Sequence, residues 1–178
     1  GYIDLRENRA ARVASLTHSN LRSFFLVAPM IYAAIGRLAV VNFRPEQLAD
    51  LVNTQKRFRN ASEGGDVASL VLENNKFHEI IGDMAGNVYL QNALNRLLID
   101  HARIGNTFYR PRNEDMRRRL RLSVKHHDSF IEAIREGDEK SMVDLVFAHW
   151  ELSRGNMEIY IVPEEMQADL VPVSSERV

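Results

Sequence analysis

The residues of this chain best suited to chemistry are its histidines, six in 178 positions. Their places on helical stripes matter more than their number. One apolar stripe contains Leu70, Phe77, Ile81 and Met84, and Asn74 and His78 lie on the same face, four residues apart. That spacing sets two side chains one turn apart, able to share one ion. A second stripe, Val124, Phe130, Ile131 and Ile134, includes His127 but not its neighbour His126. A third, Met142, Leu145, Val146 and Leu152, includes His149. Three predicted helices therefore each aim an imidazole inward.

A single inward histidine reads as a core residue satisfied by a backbone carbonyl. Three unpaired ones would cost on the order of a few kcal/mol each. A shared divalent metal removes that cost by taking a nitrogen from each ring, and facing helices of a bundle suit such a site. His101 also points inward, after Leu90, Leu94 and Leu97 and before Ile104 and Phe108. Contact with a ligand near the metal and a plain core role both remain open for it. His18 reads as a cap or surface residue.

The elements that must position these rings are helices, since strand alternation is nearly absent. The spacing predicts a first helix over residues 4 to 17 and a second over about 20 to 41, capped by Ser19 or Asn20 and kinked at Pro29. Pro45 opens a third, to about residue 60. Gly64-Gly65 breaks the chain, and Asp66 caps a fourth helix ending near Ala85. Gly86-Asn87 then reads as a stop followed by a cap. The fifth helix reaches about Tyr109, the sixth runs from Asn113 to Arg135, and the seventh ends about Arg154 against Gly155. Residues 1–155 are thus expected to form one helical domain. Residues 156–178 are expected to be a tail, a short helix or disordered. The fold class is all-α, an antiparallel bundle of six to seven helices.

Composition narrows the chemistry. With no cysteine, thiolate catalysis, disulfides and cysteine-bound metal are excluded. No apolar run is read as approaching the ~20 residues of a membrane span, so no membrane association is expected. Net charge is −1, which gives no field toward nucleic acid. The dense run Arg117-Arg118-Arg119-Leu120-Arg121 reads as a solvated helix start, with a phosphate or partner contact as the other reading.

Two blocks carry a family resemblance. Asn74-Asn75-Lys76-Phe77-His78-Glu79-Ile80-Ile81, followed by Ala85-Gly86-Asn87, resembles the Asp-x-x-Phe-His … Gly-Asn motif of the helical C-terminal ligand-binding (FCD-type) domain of FadR-subfamily GntR regulators. His127-Asp128-Ser129-Phe130-Ile131-Glu132-Ala133-Ile134, followed by Gly137-Asp138, resembles a second block of that family, and His149 falls at its last histidine. The resemblance is good over residues 70 to 154. It implies a homodimer with a central cavity holding a divalent metal on one aspartate and three histidines, here Asn74, His78, His127 and His149. Zinc is the first choice, with nickel or manganese as alternatives, and a small carboxylate effector binds over the metal, within reach of Asn74 and His101. It also implies operator DNA bound only through an N-terminal winged helix-turn-helix, to which Gly1-Tyr2 would be the end of the wing, and a cytoplasmic location.

Two positions depart from the family. Asn74 stands where an aspartate is usual, so a site of neutral donors keeps the ion's full dipositive charge. That implies weaker metal retention and stronger attraction for an anion. Phe24, Phe25 and Ala28 stand where relatives carry an Arg and a Glu. Three histidines with an open metal position also describe hydrolytic zinc sites. Such catalysis needs a nearby base, and Glu79 and Asp128, each next to a ligand, turn about a hundred degrees away. No enzyme activity is expected. The alternatives are a metal-dependent hydrolase and a metal-free helical interaction domain.

Overall fold

A computed structural model describes residues 2–4 and 10–161. Six helices follow a two-stranded hairpin: α1 His18–Asn42, α2 Pro45–Gly64, α3 Val67–Ala85, α4 Val88–Phe108, α5 Glu114–Glu136 and α6 Glu139–Ile161. The strands β1 (Ile3–Asp4) and β2 (Arg12–Val13) pair antiparallel, Ile3 opposite Val13.

This hairpin replaces the helix expected over residues 4 to 17, of which 5 to 9 lie outside the described residues. Long-range anchors decide the difference. Ala14 N donates to Tyr2 O at 2.9 Å, Tyr2 Oη donates to Arg96 O at 2.9 Å, and Arg103 Nη2 donates to Ala14 O at 2.6 Å. These bonds fix the segment as an extended strap on α4, and Val13, Ser15 and Thr17 are weak helix formers that offer little resistance. Thr17, not Ser19 or Asn20, caps α1, accepting from Asn20 N at 3.2 Å.

The remaining caps follow the expected chemistry. Asp66 accepts from Ser69 N, Asn87 from Tyr89 N and Leu90 N, Asn113 from Met116 N, and Asp138 from Ser141 N. Gly86 ends α3 at φ 65, in the left-handed region where a Cβ is disfavoured. Each cap fixes the start of a helix that brings a histidine inward or packs beside one. Gly155 does not stop α6, which continues to Ile161. A Cβ there would meet only the guanidinium end of Arg119, which can swing aside. The rest of the expected tail, 162–178, lies outside the described residues.

The short connections fold α3 back on α2, α4 on α3 and α6 on α5. α1 is central, packed against α3, α4, α5 and α6, while α2 covers α3 and α5. The main core gathers Phe24, Ile35, Leu51, Phe77, Leu94 and Met142 among others, and a second cluster around Phe58, Leu70 and Phe108 closes one flank. α1 also corrects the expectation that no apolar run approaches a membrane span. By length and composition it is long and apolar enough to cross one, yet its Leu21, Ala28, Tyr32, Ile35 and Ala39 are buried against neighbouring helices. Counting only the longest uncharged run in the sequence overlooks that Arg37 interrupts it without ending its apolar face.

Candidate metal centre

α3 presents Asn74 and His78 one turn apart, 2% and 5% exposed. α5 brings His127, fully buried, and α6 brings His149. One ligand atom from each of His78, His127 and His149 lies within 4.8 Å of the others. Tetrahedral zinc–nitrogen bonds of about 2.1 Å hold two donors roughly 3.4 Å apart, so rotamer movements of about an ångström close this set onto one ion. His78 Nε2, His127 Nε2, His149 Nδ1 and Asn74 Oδ1 are all buried without a hydrogen-bond partner. Three orphaned imidazole nitrogens in one cluster are unusual, because buried polar atoms are nearly always paired, and Asn74 Oδ1, one turn before His78, is orphaned as well. A divalent cation fits the three histidines, since a neutral imidazole offers one nitrogen lone pair.

Burial holds the rings neutral. It pushes the His127 imidazole down to about 3, with neighbouring imidazoles adding to the effect. His78 and His149 lie well below the ordinary value for the same reasons. Neutral imidazoles are the form that ligates metal.

A residue outside the sequence motifs fixes the His127 tautomer. Gln55 of α2 is buried, and its Nε2 donates to Val124 O at 2.9 Å and to Asp128 Oδ1 at 3.0 Å. Its Oε1 must therefore face His127 Nδ1, 3.1 Å away, and accept that ring's proton. The Nε2 lone pair is then left for the site. Arg59 holds Asp128 from outside at 2.7 Å. Phe77 stacks on His127 with centroids 4.0 Å apart and planes 3° from parallel, and Phe58 lies on it at 4.6 Å.

His101 stands beside this group but not within it. Tyr32 Oη lies 2.9 Å from its Nδ1, and Asn74 Nδ2 lies 3.5 Å from its Nε2. Burial pushes its imidazole down to about 4. Trp150 covers it, and Phe24 and Phe25 meet Trp150 edge-on. Ala28 is fully buried nearby in α1. His126 is half-buried, 5.7 Å from the His149 ring, and His18 is exposed at the start of α1. Glu79 pairs with Lys76, so no carboxylate joins the three histidines among the described residues. The arginine run is matched on its own helix, Arg117 and Arg121 to Glu114, Arg118 and Arg119 to Asp115.

Two small cavities flank His149, each about 10 Å³ and so near the size of one water. One is walled by Ile81, Leu94, Phe130 and Met142; the other by His101, Tyr109, Ser123 and Ser153. The ring thus separates an apolar chamber from a polar one.

Comparison with known proteins gives this arrangement a family. The model of the FCD domain matches residues 30–152. The fold is shared with E. coli McbR/YncC (TM-score 0.75, 18% identity, covering 90% of this chain and 73% of that one). It is shared with Streptococcus agalactiae GntR (0.63, 17%, 86% and 75%). A third structure carries the description that Lar controls expression of the Listeria monocytogenes agr system and mediates virulence (0.64, 12%, 89% and 74%). No curated protein sequence matches the chain. At these identities the solved structures speak for the fold, whereas the family model spans well over half of the sequence. The chain belongs to the FCD domain family.

Proposed function

We propose that this FCD-domain chain is the effector-sensing and dimerisation domain of a bacterial GntR/FadR-type transcription regulator. Asn74, His78, His127 and His149 hold a divalent metal, with zinc the first choice and nickel or manganese also suited to imidazole. A small organic acid binds at the metal and biases an attached winged helix-turn-helix between DNA-binding and non-binding arrangements. A ligand acts as a switch only through different affinity for the two arrangements.

The observation that carries the reading is the set of unpartnered lone pairs brought together from three helices. Neutral donors leave the cation's charge uncompensated, which favours an anion as a further ligand. The solved structures of like fold include one named GntR and one described as controlling gene expression, which supports the regulatory role. Leu26, Val27 and Met30 lie exposed on α1, apolar surface suited to a second copy of the chain. The protein would work in the cytoplasm, with operator DNA reached through a separate domain.

Elemental analysis of the purified chain tests the metal, and thermal shifts with a panel of small carboxylates test the effector. About one ion per chain and carboxylate stabilisation that chelation abolishes are expected. Equal shifts in loaded and chelated protein would sink the reading.

A further inference from the structure

We infer that His101 is a positioning residue which, through the tautomer set by Tyr32, turns the Asn74 amide so that its oxygen, and not its nitrogen, is left for the metal. The inference rests on the metal reading above.

A carboxylate at position 74 would present an oxygen whichever way it turned. An amide would not, because a half-turn replaces the oxygen by an NH2 group that repels a cation and offers no lone pair. Some neighbour must choose between the two orientations. In the structure the amide nitrogen faces His101 Nε2 at 3.5 Å, while Asn74 Oδ1 is buried and unpartnered. For that contact to be a hydrogen bond, Nε2 must carry a lone pair. A neutral ring then has its proton on Nδ1, which meets Tyr32 Oη at 2.9 Å and donates to it. The opposite tautomer would point an N–H at Asn74 and draw the oxygen away from the site.

The ring has little freedom to escape this choice. Trp150 lies 5.1 Å away on one side and His78 5.0 Å on another. Tyr32 is itself held edge-on against Trp150 at 5.0 Å and His78 at 5.2 Å. The chain Tyr32–His101–Asn74 mirrors the chain Asp128–Gln55–His127, which fixes another donor by the same hydrogen-bond logic. With both chains in place, two of the four donors are set by partners outside the metal's own ligands.

Two measurements test the assignment. Long-range 1H–15N spectra of the full chain, labelled in its histidines, read each tautomer, with the His101 signals identified by their loss in His101→Leu. A proton on Nδ1 is expected in the zinc-loaded chain, and one on Nε2 overturns the inference. Zinc affinity is then measured by chelator competition in His101→Leu, His101→Gln, Asn74→Asp and the double variant His101→Leu with Asn74→Asp. His101→Leu should weaken binding by about tenfold or more, within the range for residues that orient metal ligands. His101→Gln, whose side-chain oxygen can accept from Asn74, should recover most of it. With Asp at position 74 the His101→Leu loss should shrink to about twofold or less, comparable with the error of additivity. Equal losses on both backgrounds would mark His101 as merely structural and overturn the inference. No zinc binding by the native chain, with the Nδ1 proton present, would overturn the metal reading while supporting the orientation of Asn74.

Discussion

His127 Nδ1 lies 3.1 Å from Gln55 Oε1, on an amide whose nitrogen is already committed to Val124 O and Asp128. The amide cannot turn without losing two hydrogen bonds, so it dictates which nitrogen of His127 carries the proton. Gln55→Ala removes the dictation and orphans a buried N–H. A loss of about 1–3 kcal/mol in the metal-free protein is expected from the unmade bond. Zinc affinity should fall by about 10–100-fold. Urea denaturation and chelator competition on the same variant measure the two effects. Lost stability with unchanged zinc affinity would confine Gln55 to the core.

His149→Leu separates a ligand from a core histidine by the sign of its effect. His149 Nδ1 is buried with no partner, so the metal-free protein bears its desolvation. Replacing the ring by an apolar side chain should leave chelated protein unchanged or stabilise it by up to about 1–3 kcal/mol. Saturating zinc stabilises a folded site by about 4 kcal/mol at a free concentration a thousandfold above Kd. That increment should vanish in the variant. Thermal melts with zinc and with chelator read both, and a variant that still gains fully from zinc excludes His149 as a ligand.

The helices bearing these rings were legible because a polar residue on an apolar stripe is a local anomaly, visible in a window of two turns. His78, His127 and His149 are such anomalies, and Gly86-Asn87 and Gly137-Asp138 mark where their helices begin and end. Gln55 is an anomaly of the same kind on α2, beside Leu51 and Phe58. Its partner, however, is set by how α2 lies across α5, and no spacing along the chain encodes that register. Tyr32 was hidden likewise, as one more aromatic in an apolar helix until α4 brings His101 to its hydroxyl. Gly155 was misread because an isolated glycine weakens a helix without having to end it, and α6 runs through it to Ile161. The N-terminal hairpin was misread because its bonds to Arg96 and Arg103 outweigh local propensity.

Acid should destabilise the metal-free protein over a window set by its buried imidazoles. His127 and His101 are depressed from 6.5 to about 3 and about 4, chiefly by desolvation, and His78 and His149 lie well below 6.5. Between those values and 6.5 the unfolded chain binds protons that the folded chain refuses. The stability is therefore fully present above the unfolded value and is lost as pH falls toward the folded ones. Each such histidine contributes a slope of up to about 1.4 kcal/mol per pH unit. Urea midpoints of chelated protein should fall steadily from about pH 6.5 to about pH 4.5. A flat profile there would mean that the rings are already protonated or solvated in the folded state.

Asn74→Asp asks what a neutral donor contributes at this position. A carboxylate beside a dication lowers the net charge of the centre by one and adds a harder, anionic oxygen. Zinc should bind more tightly by about tenfold or more, a gain of at least about 1.4 kcal/mol. The same charge should repel an incoming carboxylate and compete for its coordination position. Small carboxylates should therefore bind the zinc-loaded variant more weakly than the native chain, by about tenfold at similar cost. Isothermal titration gives both affinities on one preparation. Opposite movement of the two identifies Asn74 as the residue that trades metal retention for attraction of the anion. Parallel movement would place the acid on other groups and overturn this role for Asn74.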